Sequence, residues 1–195
     1  MPHNPGPGST RLPDILPPEP SSNLPENYFS RLTDGAVVSI SRVFSWLWVG
    51  TLLVVLSNVV GRFFLNSGSI AIEELAWHFF GAGMMLTMAY SVVTNEHVRV
   101  DVFFEKMSLK AQCWIELLLL VFLVFPILLI ITVDLFEYAY RSWAQGERSV
   151  AASGLPYRFI IKTIFPAGLV LLTIALLSRA SRLFTLVVGF PKRLL

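Results

Sequence analysis

The densest run of chemically capable residues is NVVGRFFLNSGSIAIEELAWH, in which Arg62 is followed by Glu73, Glu74 and His78. A cation and two carboxylates separated by a short connection can form an ion pair that fixes the angle between two helices. Carboxylates also suit the first turn of a helix, where the dipole is positive. Glu74 and His78 stand four apart, close enough on a helix for a further hydrogen bond. Acid–base catalysis by the same groups would need a water-filled pocket, and nothing in the flanking apolar sequence supplies one. These four residues therefore read as a structural clamp or a subunit contact. A second cluster, NEHVRVD, places His97, Arg99 and Asp101 after an apolar run, where they suit a membrane-surface anchor that meets anionic lipid or a partner.

Other chemistries are excluded by spacing. Bis-histidine haem ligation needs two imidazoles on one iron. His78 and His97 lie 19 positions apart along one predicted helix, or about 28 Å. Haem held within this chain is thus ruled out, although haem shared with a partner is not. No GxxxxGK[ST] loop, nucleophile elbow or HExxH motif occurs. Cys113 is the only cysteine, so an intramolecular disulfide or a thiolate cluster is impossible; in its apolar run it reads as packing. The chain is expected to need no cofactor or metal and to be no enzyme.

The elements that must position these residues are membrane helices. Hydrophobic residues make up 54% of the 195 and charged ones 14%, too few charges to cover a water-soluble surface. A net charge of +2 with no basic stripe gives no footprint for nucleic acid. Four apolar runs, at about 43–64, 72–94, 114–136 and 159–177, each approach the ~20 residues of a hydrocarbon core, the last with an apolar continuation toward Val188. A lone span satisfies its own backbone groups only as a helix. The expected fold is therefore an all-α integral membrane protein of four transmembrane helices. Trp46, Trp48, Trp77, Trp114 and Trp143 lie at or beyond the ends of these runs, as in an interfacial aromatic belt. Residues 1–36 hold eight of the twelve prolines and no apolar run, and are expected to form a disordered cytoplasmic tail ahead of a membrane domain at 37–195. The tail lacks a signal peptide's apolar region, so the first run is expected to be retained. The stretch VDVFFEKMSLKAQ, 100–112, is expected to lie as an interfacial amphipathic helix.

Ten of the fifteen Lys and Arg residues fall on the side that holds both termini, which the positive-inside rule makes cytoplasmic. The middle third of every predicted span is free of titratable residues, and paired Gly/Pro breaks are absent. A self-contained ion or substrate path would show one or the other. Asp134, near the outer end of the third run, is expected at headgroup level with Glu137 and Arg141, and Pro126 and Pro166 are read as kinks. Small residues mark packing faces: Ser57 and Gly61 in the first span, and Gly81, Gly83, Thr87 and Ser91 in the second. Packing within the four-helix unit is preferred for them over an intersubunit face.

Taken in order, Arg62 closing the first run, Glu73-Glu74-Leu75 opening the second, His97 to Asp101 at its end and GLPYRFIIKTIFPAG (154–168) leading into the fourth resemble the small permease subunit of TRAP transporters, the tripartite ATP-independent periplasmic systems. The likeness covers about residues 39–183. It implies a bacterial inner membrane protein whose partners are a large multi-span permease subunit and a periplasmic substrate-binding protein. It further implies sodium-coupled uptake of an organic acid, the large subunit holding the transport sites and the small one bracing it. The loop 137–157 is the candidate contact for the binding protein. Two other readings stand beside this one: the anchor subunit of a redox complex, and a small homodimeric transporter.

Overall fold

A computed structural model of the chain describes residues 24–64, 66, 68–95, 107–151 and 153–188. All regular elements among them are helical: α1 (Tyr28–Phe44), α2 (Trp46–Phe64), α3 (Ile70–Val93), α4 (Leu109–Leu119), a π turn (Leu120–Val124), α5 (Phe125–Ala144) and α6 (Phe159–Val188). Three stretches are long and apolar enough to cross a membrane: α1 with α2 (Tyr28–Phe64), α4 through α5 (Lys110–Ala144) and α6. The second predicted run forms the 24-residue α3 and carries Glu73, Glu74 and His78 in its first turns, which dilute its apolar character.

The helical domain begins earlier than its composition suggested. Asn27 caps α1 with a reciprocal box, accepting from the Ser30 N–H while the Ser30 hydroxyl accepts from the Asn27 N–H. The Asn27 amide also donates to Ser181 and Thr185 on α6, each at 3.2 Å. A tail boundary at residue 36 is thus corrected: 28–36 are helical. Their polar residues made the stretch look solvated, whereas Asn27, Ser30 and Asp34 pair inside the protein. Residues 1–23, and most of the amphipathic stretch expected at 100–112, lie outside the described residues; from Leu109 that stretch forms the first turns of α4.

The π turn has a local cause. Pro126 has no N–H to give to the carbonyl four residues back, and its ring would clash there, so the preceding turn widens. Pro166, by contrast, sits buried within α6, which runs on through it to Val188.

Helix α6 is the central column, packed on α1, α3, α4 and α5. One core cluster joins Val37 of α1, Ala89 and Val92 of α3, and Leu171, Leu172 and Ala175 of α6. Another joins Cys113, Leu117 and Leu120 to Ala180 and Leu183. In contrast, α2 packs on α3 without burying a single residue. All five tryptophans are at least 41% exposed, though the Trp48 indole also packs edge-on against Phe80.

Closest approach occurs between α3 and α6. A Cβ on Gly168 would come within 2.8 Å of Met85 Cβ and 2.9 Å of its carbonyl oxygen, a contact with backbone that cannot move aside. Gly81 is roomier, its nearest neighbour the Phe165 ring at 3.5 Å. We therefore expect Gly168→Ala to destabilise the protein by about 1–3 kcal/mol through overpacking, with Gly81→Ala near neutral. Thermal unfolding of both variants in detergent, side by side, checks this.

Candidate functional site at the two ends of the bundle

Helix α5 ends in a Schellman motif. Gly146 adopts a φ of +58°, its N–H bonds the Trp143 carbonyl, and the Glu147 N–H reaches back to Ser142. The chain then folds across the end of α3 and enters α6, held by Ser149 N–H to the Leu155 carbonyl (3.2 Å) and Arg158 N–H to the Glu147 carbonyl (3.3 Å). Into this loop projects Glu74. One carboxylate oxygen accepts from the Ser149 hydroxyl and the other from the Leu155 N–H at 2.7 Å. Gly154 closes the cradle: a side chain there would strike Ser149 and come within 2.9 Å of the Glu74 carboxylate. Beside it Glu147 pairs with Lys162, whose ammonium lies 3.8 Å from the centre of the Tyr138 ring.

This arrangement corrects the expected clamp. Arg62 and Glu73 are exposed, and the ion pairs among the described residues include neither of them. Glu74 is committed to the α5–α6 loop, and His78 meets the Glu74 backbone carbonyl through Nδ1 at 2.6 Å, leaving the carboxylate to the loop. The clamp therefore joins α3 to the loop before α6, where the sequence had suggested α2 to α3. Ordering along the chain hid this, because Ser149 and Leu155 lie 75 and 81 positions beyond Glu74.

At the opposite end, α6 carries a second polar cluster that the sequence reading left unremarked. Asp34 of α1 accepts from Ser178 at 2.6 Å and pairs with Arg182. Arg179, 8% exposed, pairs with Glu116 of α4 and donates to Asn95 at 2.8 Å. One helix face thus ties α1, α3 and α4 to α6. The only signal in the sequence was that Arg179 and Arg182 follow an apolar run at a spacing that puts both on one face. His97, Arg99 and Asp101 lie outside the described residues.

The packing residues divide. Gly83 receives Leu47 and the Trp48 indole at 3.5 Å, so it seats α2 on α3. Thr87 bonds the Gly83 carbonyl and Ser91 that of Met88. Ser57 is exposed, its hydroxyl turned to the Val54 carbonyl, and Gly61 is half-buried on the same helix. Tighter contacts occur at Gly50, whose Cβ would lie 2.9 Å from Phe79, and at Gly168; neither was singled out, since one glycine without a partner at i+4 gives no pattern. Asp134 is exposed on α5, and Glu137 and Arg141 pair with each other on its last turns.

Between the two polar ends, residues 43–61, 79–94, 117–133 and 163–178 hold no Asp, Glu, Lys, Arg or His. A cavity of about 670 Å³ between α1, α2, α3 and α6 is walled by apolar residues such as Leu47, Phe79, Ile161 and Leu171, with His78 at its margin. No group of three or more His, Cys, Asp or Glu among the described residues could hold a metal ion. Among the described residues, charged side chains thus stand at the two ends of the bundle and apolar and small polar ones fill its middle.

The sequence model of the DctQ component of tripartite ATP-independent periplasmic transporters matches residues 51–186. The chain belongs to this family. No curated protein and no solved structure matches it. As a DctQ component it is a small subunit of a TRAP transporter, a membrane-type protein of a transport family. Two stretches that carried the likeness, around Glu74 and Gly154–Leu155, are now seen to touch.

Two outcomes are expected of this loop. Gly154→Val and Glu74→Ala should each speed proteolysis between residues 145 and 158 several-fold, while Arg62→Gln leaves the rate unchanged; limited proteolysis with mass mapping decides. The second concerns pH. The Lys162 ammonium, bonded to the Glu147 carboxylate, holds it below its ordinary 4.5. A depressed value means the folded state is favoured while the group is charged. That contribution is complete above about pH 4.5 and is lost as pH falls through the lower folded value. Protection of the loop from protease should then be flat at neutral pH and fall in acid, with Glu147→Gln removing part of the dependence.

Proposed function

We propose that this DctQ component is a non-catalytic brace for the large permease subunit during sodium-coupled uptake of an organic acid delivered by a periplasmic binding protein. The observation that carries the reading is the charge-free middle of the bundle, with every ion pair among the described residues confined to its ends. Sodium and carboxylate both need partners of opposite charge or oriented dipoles at mid-membrane, and those partners must then belong to another chain. In this reading α3 is the fourth span: its 24 residues reach about 36 Å, and its carboxylates stand at the membrane face. Both termini are cytoplasmic in the inner membrane, on the side richer in Lys and Arg.

An unburied α2 fits a brace, because its apolar surface is left for lipid and for the large subunit. The Glu74-bound loop, rigidified from both α3 and α6, lies on the outer side and offers a fixed platform for the binding protein. Purification of the tagged chain from its native membrane in mild detergent, followed by native mass spectrometry, tests the proposal. A stoichiometric complex with one larger many-span protein, and solute uptake in liposomes only when both chains are present, is expected. Uptake by this chain alone would overturn it.

A further inference from the structure

The cluster around Arg179 and Arg182 borders a polar cavity of about 330 Å³, lined by Asp34, Thr94, Asn95, Ser178 and both arginines. Each arginine uses part of its guanidinium. Arg179 Nε goes to Glu116 and Nη1 to Asn95; Arg182 Nη2 goes to Asp34. Among the described residues, Arg179 Nη2 and Arg182 Nε are buried and have no hydrogen-bond partner. Two N–H donors on permanently charged groups are thus left unmet beside a cavity that holds roughly ten water volumes. A buried donor without an acceptor is costly, so the arrangement favours an incoming acceptor, and guanidinium geometry favours a planar or tetrahedral oxyanion.

The surrounding charges permit one. Asp34 is the acid that lines the cavity, and both its oxygens are already engaged, by Ser178 and Arg182. Glu116 is spent on Arg179. Leu24, Val92, Val93 and Ala175 complete the wall, giving an apolar flank next to the polar one. We propose that this cavity is a phosphate-oxyanion site, filled by a phospholipid headgroup or by free phosphate, with Arg179 Nη2 and Arg182 Nε as the donors. An apolar flank beside a charged pocket at the end of a membrane bundle is the surface that an acyl-bearing phosphate needs. The site is independent of the bracing role, since it uses only groups of this chain.

The test uses the protein in its native assembly. After stringent detergent washing, native mass spectrometry counts phospholipid retained per chain in the wild type and in a variant with Arg179→Lys and Arg182→Lys. Lysine keeps the charges that pair with Glu116 and Asp34, but its single nitrogen cannot span a carboxylate and the cavity as the guanidinium fork does. Retention about tenfold lower in the variant is expected if a headgroup fills the site. In delipidated protein, inorganic phosphate titrated against chloride at equal ionic strength should raise the unfolding temperature of the wild type more than that of the variant if free phosphate does. Equal retention in both proteins, together with no phosphate-specific stabilisation, would overturn the proposal and leave the cavity to water. Should the variant fail to fold, the wild type decides alone: the absence of both retained phospholipid and phosphate-specific stabilisation refutes the site.

Discussion

Removal of polar groups from water is the constraint around which this bundle is built. A helix satisfies its own backbone, but side-chain charges that sit between helices must find partners in the same low-dielectric space. Here α6 solves that by concentrating charge near its two ends. Lys162 faces Glu147 at one end, and Arg179 and Arg182 face Glu116 and Asp34 at the other. Lys162 and Arg179 are 17 residues apart, about 26 Å of helix, which is close to the thickness of a hydrocarbon core. Helices α1, α3, α4 and α5 are thereby attached to the same column, by its core, its ends or both.

Between these ends the helices are held by shape. Gly168 lets the α3 backbone approach α6, and Gly50 and Gly83 let α2 and α3 exchange aromatic side chains. In lipid there is little hydrophobic gain from helix contact, so close packing of this kind carries much of the association. The polar ends then add direction: Asn27, Asp34 and Glu116 each select one register against α6, because a slip of one residue would separate a polar or charged group from its partner. Shape holds the helices together, and charge decides how they are aligned.

For the bracing role proposed above, this division is apt. The connection most exposed to loosening, the long link between α5 and α6, is tied by the Schellman turn at Gly146, by the Glu74 carboxylate from α3 and by the Glu147–Lys162 pair. Three separate elements fix it, so its position follows from the bundle.

Much of this was legible along the chain. Apolar runs marked the helices, because they depend on local composition. The quartet of short motifs pointed to the family that the sequence model then matched over residues 51–186. What the sequence could not give was partnership. Glu74 was read with Arg62, its near neighbour, whereas folding delivers it to Ser149 and Leu155; Asp34 was read as tail, whereas it pairs with Arg182, 148 positions away. Local chemistry therefore determined which segments are the apolar helices. Only the tertiary structure decided which charges meet, because an ion pair needs a separation of a few ångströms in space and is indifferent to distance along the chain.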